Sequence, residues 1–445
     1  MAACHAAFAE AAFAEAAFAE AAFAAAALFS RSMRILHTSD WHLGQHFMGK
    51  SRAAEHQALI DWLLEQVAAQ AVDAVLIAGD IFDTGAPPSY ARALYSQLVA
   101  RLHAAGVALL LLGGNHDSVS VLDDSRALLA CLNTTLVAAV GDAATHVVAL
   151  PARDGQPGCI VCALPFIRAR DVVQSQAGQS AQEKQQALQG AIQATYQQVY
   201  VQAQALQAQL QAQTGRMLPI IATGHLTTVG ASSNESVREI YVGALEAFPT
   251  NAFPAADYIA LGHIHKPQKV GGLEHIRYSG SPIALGFDEA RQAKQVLLVD
   301  LGSPGLEAVT ALPVPVFQPM AAVNASLAAL PALLQAAAQP GRRERPVWLE
   351  VTVQDDDYLK DLASRVEALL QDLPLELLRI KRQRGAVDAQ LVGAGHESLD
   401  ELTPEQVFAR RLAQETLTPE LQAALGQRYS AVLAQMRAGA EGHAA

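Results

Sequence analysis

Five short apolar runs in this chain each end in side chains of the kind that bind metals. That repeated arrangement constrains the fold more than any other feature of the 445 residues. Asp40-Trp41-His42 follows Arg34-Ile35-Leu36-His37, and Gly79-Asp80 follows Ala74-Val75-Leu76-Ile77-Ala78. Gly114-Asn115-His116-Asp117 follows Leu109-Leu110-Leu111-Leu112, and Gly224-His225 follows Ile220-Ile221-Ala222. Gly262-His263-Ile264-His265 follows Tyr258-Ile259-Ala260-Leu261. Sheets of α/β proteins bind ligands at the carboxyl ends of their strands. Five strand ends that converge would set Asp40, His42, Asp80, Asn115, His225, His263 and His265 around one point.

Imidazoles, carboxylates and one amide suit Mn, Fe or Zn, and the absence of thiolate argues against a purely structural zinc site. Seven donors exceed what one ion needs, so two ions sharing a bridging carboxylate is the natural arrangement. Two metals roughly 3.5–4 Å apart clamp the attacking and leaving oxygens of a phosphoryl transfer and deprotonate a water. His116 is the spare imidazole, placed to face a substrate and to protonate or stabilise its leaving oxygen. Asp83, three residues after Asp80, could orient it.

These motifs resemble those of calcineurin-like metallophosphoesterases. The wording around them is closer still to the bacterial SbcD nuclease subunits: His37-Thr38-Ser39-Asp40-Trp41-His42-Leu43-Gly44, Ala78-Gly79-Asp80-Ile81-Phe82-Asp83-Thr84-Gly85 and Tyr278-Ser279-Gly280-Ser281-Pro282. The resemblance spans about Met33 to Met436. It implies a β-sandwich flanked by helices within the α/β class, carrying a small α+β cap domain and a C-terminal helical segment that binds a partner. It places Asp40, His42, Asp80 and His265 on one ion, and Asp80, Asn115, His225 and His263 on the other. His116 becomes the catalytic imidazole. Some relatives carry His where this chain has Asp83. Two Mn²⁺ are the implied cofactors, with Mg²⁺ or another divalent ion as alternatives.

Composition limits the partners. Hydrophobic residues make up 51% and charged residues 17%, the balance of a folded globular chain. Beyond the N-terminal stretch no apolar run nears the roughly 18–20 residues of a membrane span. The net charge of −12 cuts against DNA binding, which a basic footprint normally drives. Metal ligands account for part of the acidity. A grip on DNA would otherwise have to come from a local patch or a partner chain. Cys159-Ile160-Val161-Cys162 has metal-like spacing but no second pair, and its apolar context favours a buried strand over a metal or redox site. Few cysteines suit a reducing cytoplasm.

Seams divide the chain into residues 1–32, 33–312, 313–390 and 391–445. The first stretch repeats Ala-Ala-Phe-Ala-Glu with a period that matches neither helix nor strand. It lacks a basic start and reads as an extension rather than a signal peptide. From 34 to about 310, strands alternate with helices, as in an α/β core. Leu59, Ile60, Leu63, Leu64 and Val67 mark one helical face, and Ser89 to His103 reads as another helix. In the Gln- and Ala-rich insert between Asp171 and Gly215, Leu188, Ile192, Tyr196, Val199, Ala203, Leu206 and Leu210 step by three and four. That helix is expected to pack on the core; a coiled-coil partner role is the alternative.

After Pro313, Pro315 and Pro319 the spacing predicts a helix around Leu327 to Leu334. A strand at Val347–Val353, a helix from Tyr358 to Leu370 and a strand from Leu375 to Ile380 follow. Arg342, Arg343, Arg345, Arg379, Lys381, Arg382 and Arg384 flank this unit as either a DNA-contacting face or a solvated rim. Leu402-Thr403-Pro404-Glu405 and Leu417-Thr418-Pro419-Glu420 then start two helices with apolar faces, through Thr caps and Pro at the first helical position. Those faces either dock a partner or pack back on the cap.

The resemblance implies a nuclease subunit that hydrolyses DNA phosphodiesters in repair, replication and recombination. Its expected activities are exonuclease action on duplex ends and endonuclease cleavage of hairpins. An SbcC-type ATPase would bind the C-terminal helices and gate the site, with the nuclease a homodimer inside a heterotetramer. A small-substrate metallophosphodiesterase of the same fold is the rival expectation; it would not need the cap or the C-terminal helices.

Overall fold

The computed structural model describes residues 32–173, 179–232, 247–303, 305–354, 361–383, 408 and 424–429. In chain order the strands are β1 (Met33–Thr38), β2 (His46–Phe47), β3 (Lys50–Ser51), β4 (Ala74–Ala78), β5 (Ala108–Leu112), β6 (Thr134–Val137), β7 (Val147–Pro151), β8 (Pro157–Cys162) and β9 (Ile220–His225). They continue with β10 (Tyr258–Gly262), β11 (Gln268–Lys269), β12 (Ile276–Tyr278), β13 (Gln295–Gly302), β14 (Gly305–Pro313), β15 (Met320–Ser326), β16 (Val347–Gln354) and β17 (Leu375–Arg382). The main helices are α1 (Ala53–Ala69), α2 (Ser89–Ala104), α3 (Ala181–Thr214), α4 (Leu330–Ala337) and α5 (Leu362–Leu370).

Two six-stranded sheets face each other, ordered β14-β13-β1-β4-β5-β6 and β11-β12-β10-β9-β8-β7. All five motif-bearing strands lie in the interior of these sheets, where β1, β4 and β5 run parallel, as do β9 and β10. Their continuous apolar sequences follow from burial on both faces. Ile35, Leu76 and Leu110 point into the space between the sheets, against Val161, Ile221, Tyr258 and Ala260. Leu36, Val75, Ile77, Leu109 and Leu111 point the other way, onto Leu59, Leu63 and Val67 of α1 and Leu94, Leu98 and Leu102 of α2. On the far side, Ile160, Ala222, Ile259 and Leu261 pack against Leu188, Ile192, Tyr196 and Val199 of α3. The result is four layers: helices, sheet, sheet, helix.

The insert helix therefore packs on the core, as its apolar spacing predicts. Its start carries a capping box, with the Ser180 side chain accepting from the Glu183 backbone and Glu183 reaching back. Gly215 ends it in a left-handed conformation at φ 72°. The buried Tyr196 hydroxyl donates to the Thr223 carbonyl at 2.9 Å, pinning the helix two residues before His225. Cys159 and Cys162 are buried in β8, as expected. Strand alternation turns Cys159 toward the inter-sheet core and Cys162 toward α3, so the two thiols cannot share a metal. Burial pushes the Cys162 thiol up to about 12.

Three further strands, ordered β15-β16-β17, form a small sheet with α4 and α5 around their own core of Leu330, Leu334, Leu349, Val351 and Val366. β15 escaped the sequence reading, because its Met-Ala-Ala-Val-Asn-Ala-Ser run is only weakly apolar. The first helix of this unit begins at Leu330 rather than Leu327. Residues 355–360 lie outside the described residues, and the second helix is seen from Leu362. This unit seats on the sandwich through an aromatic cluster. Phe47 stacks on Trp348 with ring centroids 5.8 Å apart and meets Phe287 edge-on at 5.0 Å. Lys50 pairs with Glu376. Several basic flank residues are engaged: Arg379 and Lys381 converge on Glu350, and Arg345 donates to the Phe317 carbonyl at 2.7 Å. Arg384 lies outside the described residues.

Most of the C-terminal helical pair also lies outside the described residues. Within that separate unit, residues 424–429 are helical and Tyr429 stacks on Phe408 at 3.8 Å. No helix among the described residues is long and apolar enough to cross a membrane.

Candidate metal centre

The loops that leave β1, β4, β5, β9 and β10 meet at one end of the sandwich. Backbone bonds lace the first two together: Asp40 N–H donates to the Gly79 carbonyl at 3.0 Å, and Trp41 and His42 N–H donate to the Asp80 carbonyl at 2.9 and 3.1 Å. Asp40, His42, Asp80 and His263 all adopt left-handed backbone, at φ 56°, 48°, 51° and 92°. Such conformations cost non-glycine residues roughly 1–2 kcal/mol each, and their concentration here marks a functional site. The glycines preceding the donors have a steric reason. A β-carbon on Gly79 would overlap the His225 ring, and one on Gly114 would overlap the Asp80 carboxylate.

All seven candidate ligands come together. Donor atoms of Asp40, His42 and His265 lie within 4.8 Å of one another, and so do those of Asp80, His225 and His263. Asp80 stands between the two groups, its Oδ2 lying 3.2 Å from His225 Nε2 and 3.6 Å from His42 Nε2. Asn115 Oδ1 is 2.9 Å from His225 Nε2 and 3.2 Å from His263 Nδ1. His42, Asp80, His225, His263 and His265 are buried, whereas Asn115 and His116 are half-buried at the mouth.

Three of the imidazoles have their other ring nitrogen held by an acceptor, as metal-binding histidines usually do. His42 Nδ1 meets the Asp83 carboxylate at 3.1 Å, His225 Nδ1 donates to the Ala78 carbonyl at 2.9 Å, and His265 Nδ1 donates to Glu289 at 2.9 Å. Each ring thereby aims Nε2 inward. His42 Nε2 is buried without a hydrogen-bond partner. An orphaned imidazole nitrogen facing a buried carboxylate fits a divalent cation, since burying it without a partner would otherwise be costly.

His116 lies apart from both donor groups, its ring centroid 4.7 Å from that of His42. Its Nδ1–H donates to the Asp83 backbone carbonyl at 2.7 Å, leaving Nε2 for a substrate. Asp83 is thus placed to orient His116, by an atom that sequence does not specify. Its main chain orients His116, while its carboxylate holds His42. Donor atoms of His42, Asp83 and His116 also lie within 4.8 Å of one another. Because both Nδ1 atoms are already committed to Asp83, that trio is a hydrogen-bonded brace.

Electrostatics knit the site. Burial alone would raise the Asp80 carboxyl, but the His225, His42 and His116 imidazoles outweigh it and hold Asp80 well below the usual range. Burial likewise lowers His225, and the adjoining Asp80 carboxylate more than reverses this, pushing it up to about 9. In the ion-free protein at pH 7 that imidazole holds a proton, which an incoming cation must displace. Manganese affinity should therefore rise with pH up to about 9, by about tenfold per unit for one proton released. Calorimetry in buffers of different protonation enthalpy measures that release, and none at pH 7 would contradict it.

Two residues that the motifs did not single out also build the site. The buried Asp117 carboxylate accepts from the backbone N–H groups of Ile81, Phe82 and Gly114, at 3.1, 2.9 and 2.8 Å, clamping the β4 loop to the β5 loop. Burial and the neighbouring Asp80 push it up, and those donors pull it back. Glu289 holds His265; burial raises its carboxyl, but the His265 bond and the Lys294 ammonium outweigh that and depress it. Asp117 had a signal, its place in the third motif. Glu289 had none.

The chain is similar to known proteins over most of its length. A family model described as calcineurin-like phosphoesterase matches residues 33–267. Another, described as type 5 capsule protein repressor C-terminal domain, matches residues 316–416. The chain is similar to the SbcD components of SbcCD nucleases. That of Escherichia coli is 50% identical over 401 residues, 90% of this chain and 98% of that one. That of Rhodobacter capsulatus is 34% identical over 390 residues, 85% of this chain and 94% of that one.

Proposed function

The chain belongs to the calcineurin-like phosphoesterases and, within them, to the SbcD nuclease subunits, and from that membership we propose that it is the nuclease of an SbcC–SbcD-type complex acting on DNA phosphodiesters. Its substrates are duplex ends and hairpins. The observation that carries the reading is the pair of donor groups meeting at Asp80, with a separate imidazole, His116, beside them. Asp40, His42, Asp80 and His265 would hold one Mn²⁺; Asp80, Asn115, His225 and His263 would hold the other. Residues 33–312 are the nuclease domain, 313–390 the cap and 391–445 the segment that docks the ATPase. We assign a homodimer within a heterotetramer, in the cytoplasm with its DNA and ATP.

Bound there, two divalent ions supply Lewis-acid clamping of the phosphate and an acidified water. The chain's own residues do the rest. Asp83, Ala78 and Glu289 fix the ligand rings, so little reorganisation accompanies the reaction. Asp117 fixes the two loops relative to each other. His116, tethered at Nδ1, presents Nε2 to the leaving oxygen and delivers a proton there, which requires the ring to enter as an imidazolium.

The test is manganese-dependent digestion of end-labelled duplex and hairpin DNA by the full chain, with and without the SbcC-type partner and ATP. A chain truncated before Leu402 should still cleave bis(p-nitrophenyl) phosphate, yet fail to co-purify with the partner and lose ATP-dependent digestion of long duplexes. The net charge of −12 sharpens this expectation, because the nuclease alone has little electrostatic hold on DNA. Efficient hydrolysis of small diesters or cyclic nucleotides with no digestion of DNA beside the partner would favour the small-substrate reading.

A further inference from the structure

We propose that Glu289 is a positioning residue for the centre, setting the His265 ring from a buried seat that Lys294 completes. The proposal rests on the reading of His265 as a metal ligand. Glu289 is fully buried, and each carboxylate oxygen has its own task. Oε1 accepts from His265 Nδ1 at 2.9 Å. Oε2 accepts from Lys294 Nζ at 2.6 Å, from the Leu285 backbone N–H at 3.0 Å and from Ser281 Oγ at 3.2 Å. Lys294 Nζ in turn donates to Ser281 Oγ at 2.9 Å and to the His265 carbonyl at 3.2 Å. The same carbonyl accepts from Ser281 N–H at 3.1 Å. His265 is thus gripped at its ring and at its main chain by one cluster.

The cluster does more than a structural ion pair would. A buried Glu–Lys pair is weak evidence for stability, because well-packed apolar residues of similar volume often serve as well or better. What an apolar pair cannot supply is an acceptor aimed at Nδ1, and that acceptor fixes the tautomer and turns Nε2 toward Asp40 and His42. The seat is also tied to the small sheet. Glu289 ends the turn Phe287–Glu289, and Phe287 packs against Phe47, Met320 and Trp348 with the Arg379 guanidinium 5.7 Å from its ring centroid.

The experiment replaces the ion pair with an apolar one in the full chain, E289L/K294M, beside H265A. Each is titrated with MnCl₂ by calorimetry, and metal-free folding is followed by circular dichroism and thermal midpoint. E289L/K294M should remain folded, with one manganese site weakened about 10–100-fold, the usual cost of a lost partner to a ligating histidine, and the other site unchanged. H265A should lose the same site. Two wild-type sites in E289L/K294M would overturn the positioning role. Two wild-type sites in H265A would instead overturn the ligand reading beneath it. If E289L/K294M does not fold, E289M/K294M, which keeps more of the native side-chain length, decides: lacking the acceptor it should weaken the same site by at least about tenfold, and unchanged binding would overturn the proposal.

Discussion

Asp80→Asn should lose metal and activity together. The Asp80 carboxylate is within reach of both donor groups, and its Oδ1 also accepts the His116 backbone N–H at 2.9 Å. An asparagine removes the one negative charge that faces imidazoles on both sides. It also brings N–H donors where His116 N–H already points inward, so one contact is lost whichever way the amide turns. Manganese occupancy should fall at both sites. Hydrolysis should drop by more than about 10³-fold, beyond the usual 10²–10³ for a single electrostatic donor, because two sites fail rather than one. Calorimetry with MnCl₂ and turnover of bis(p-nitrophenyl) phosphate are the measurements. Full occupancy of two sites in D80N would remove Asp80 from the bridging position.

His116→Ala should separate binding from chemistry. The residue touches Asp80 through its backbone N–H, which alanine keeps. Its ring is tethered to the Asp83 carbonyl and takes no part in the two donor groups around Asp80. Both manganese ions and DNA affinity should survive, while turnover falls roughly 10²–10⁴-fold, the range for a lost general acid. A substrate whose leaving group needs no proton should recover most of that loss. Loss of metal in H116A would make His116 a ligand and overturn the assignment. Asp83→Ala is the informative companion. It leaves the carbonyl that holds His116 and removes the carboxylate that holds His42, so it should weaken manganese binding and leave the leaving-group dependence intact.

The site was legible in the sequence to an unusual depth because its logic is local. A parallel strand buried on both faces must be a continuous apolar run, and the residues at or just past its carboxyl end are the ones free to carry chemistry. Repeated five times, that rule brought forward Asp40, His42, Asp80, Asn115, His225, His263 and His265 as candidates without any knowledge of how the strands pair, and the fold brings them together. The insert helix was equally plain, since Leu188, Ile192, Tyr196 and Val199 recur at helical spacing.

The sequence alone thus offered an α/β core, a candidate donor set and a candidate spare imidazole from short-range periodicity and residue chemistry at strand ends, while the sandwich and its added small unit came from the resemblance. Only the tertiary structure decided what holds those donors still. That Asp83 serves His116 with its carbonyl and His42 with its carboxylate depends on the β1, β4 and β5 loops meeting. That Glu289 and Lys294 seat His265 depends on a turn 24 residues downstream folding back beneath it. That Phe47 joins the small sheet to the loop after His42 depends on a two-residue hairpin strand with no periodicity to detect. Supporting contacts are made between segments distant in sequence, and side chains that act through space leave no periodic trace in the chain that carries them.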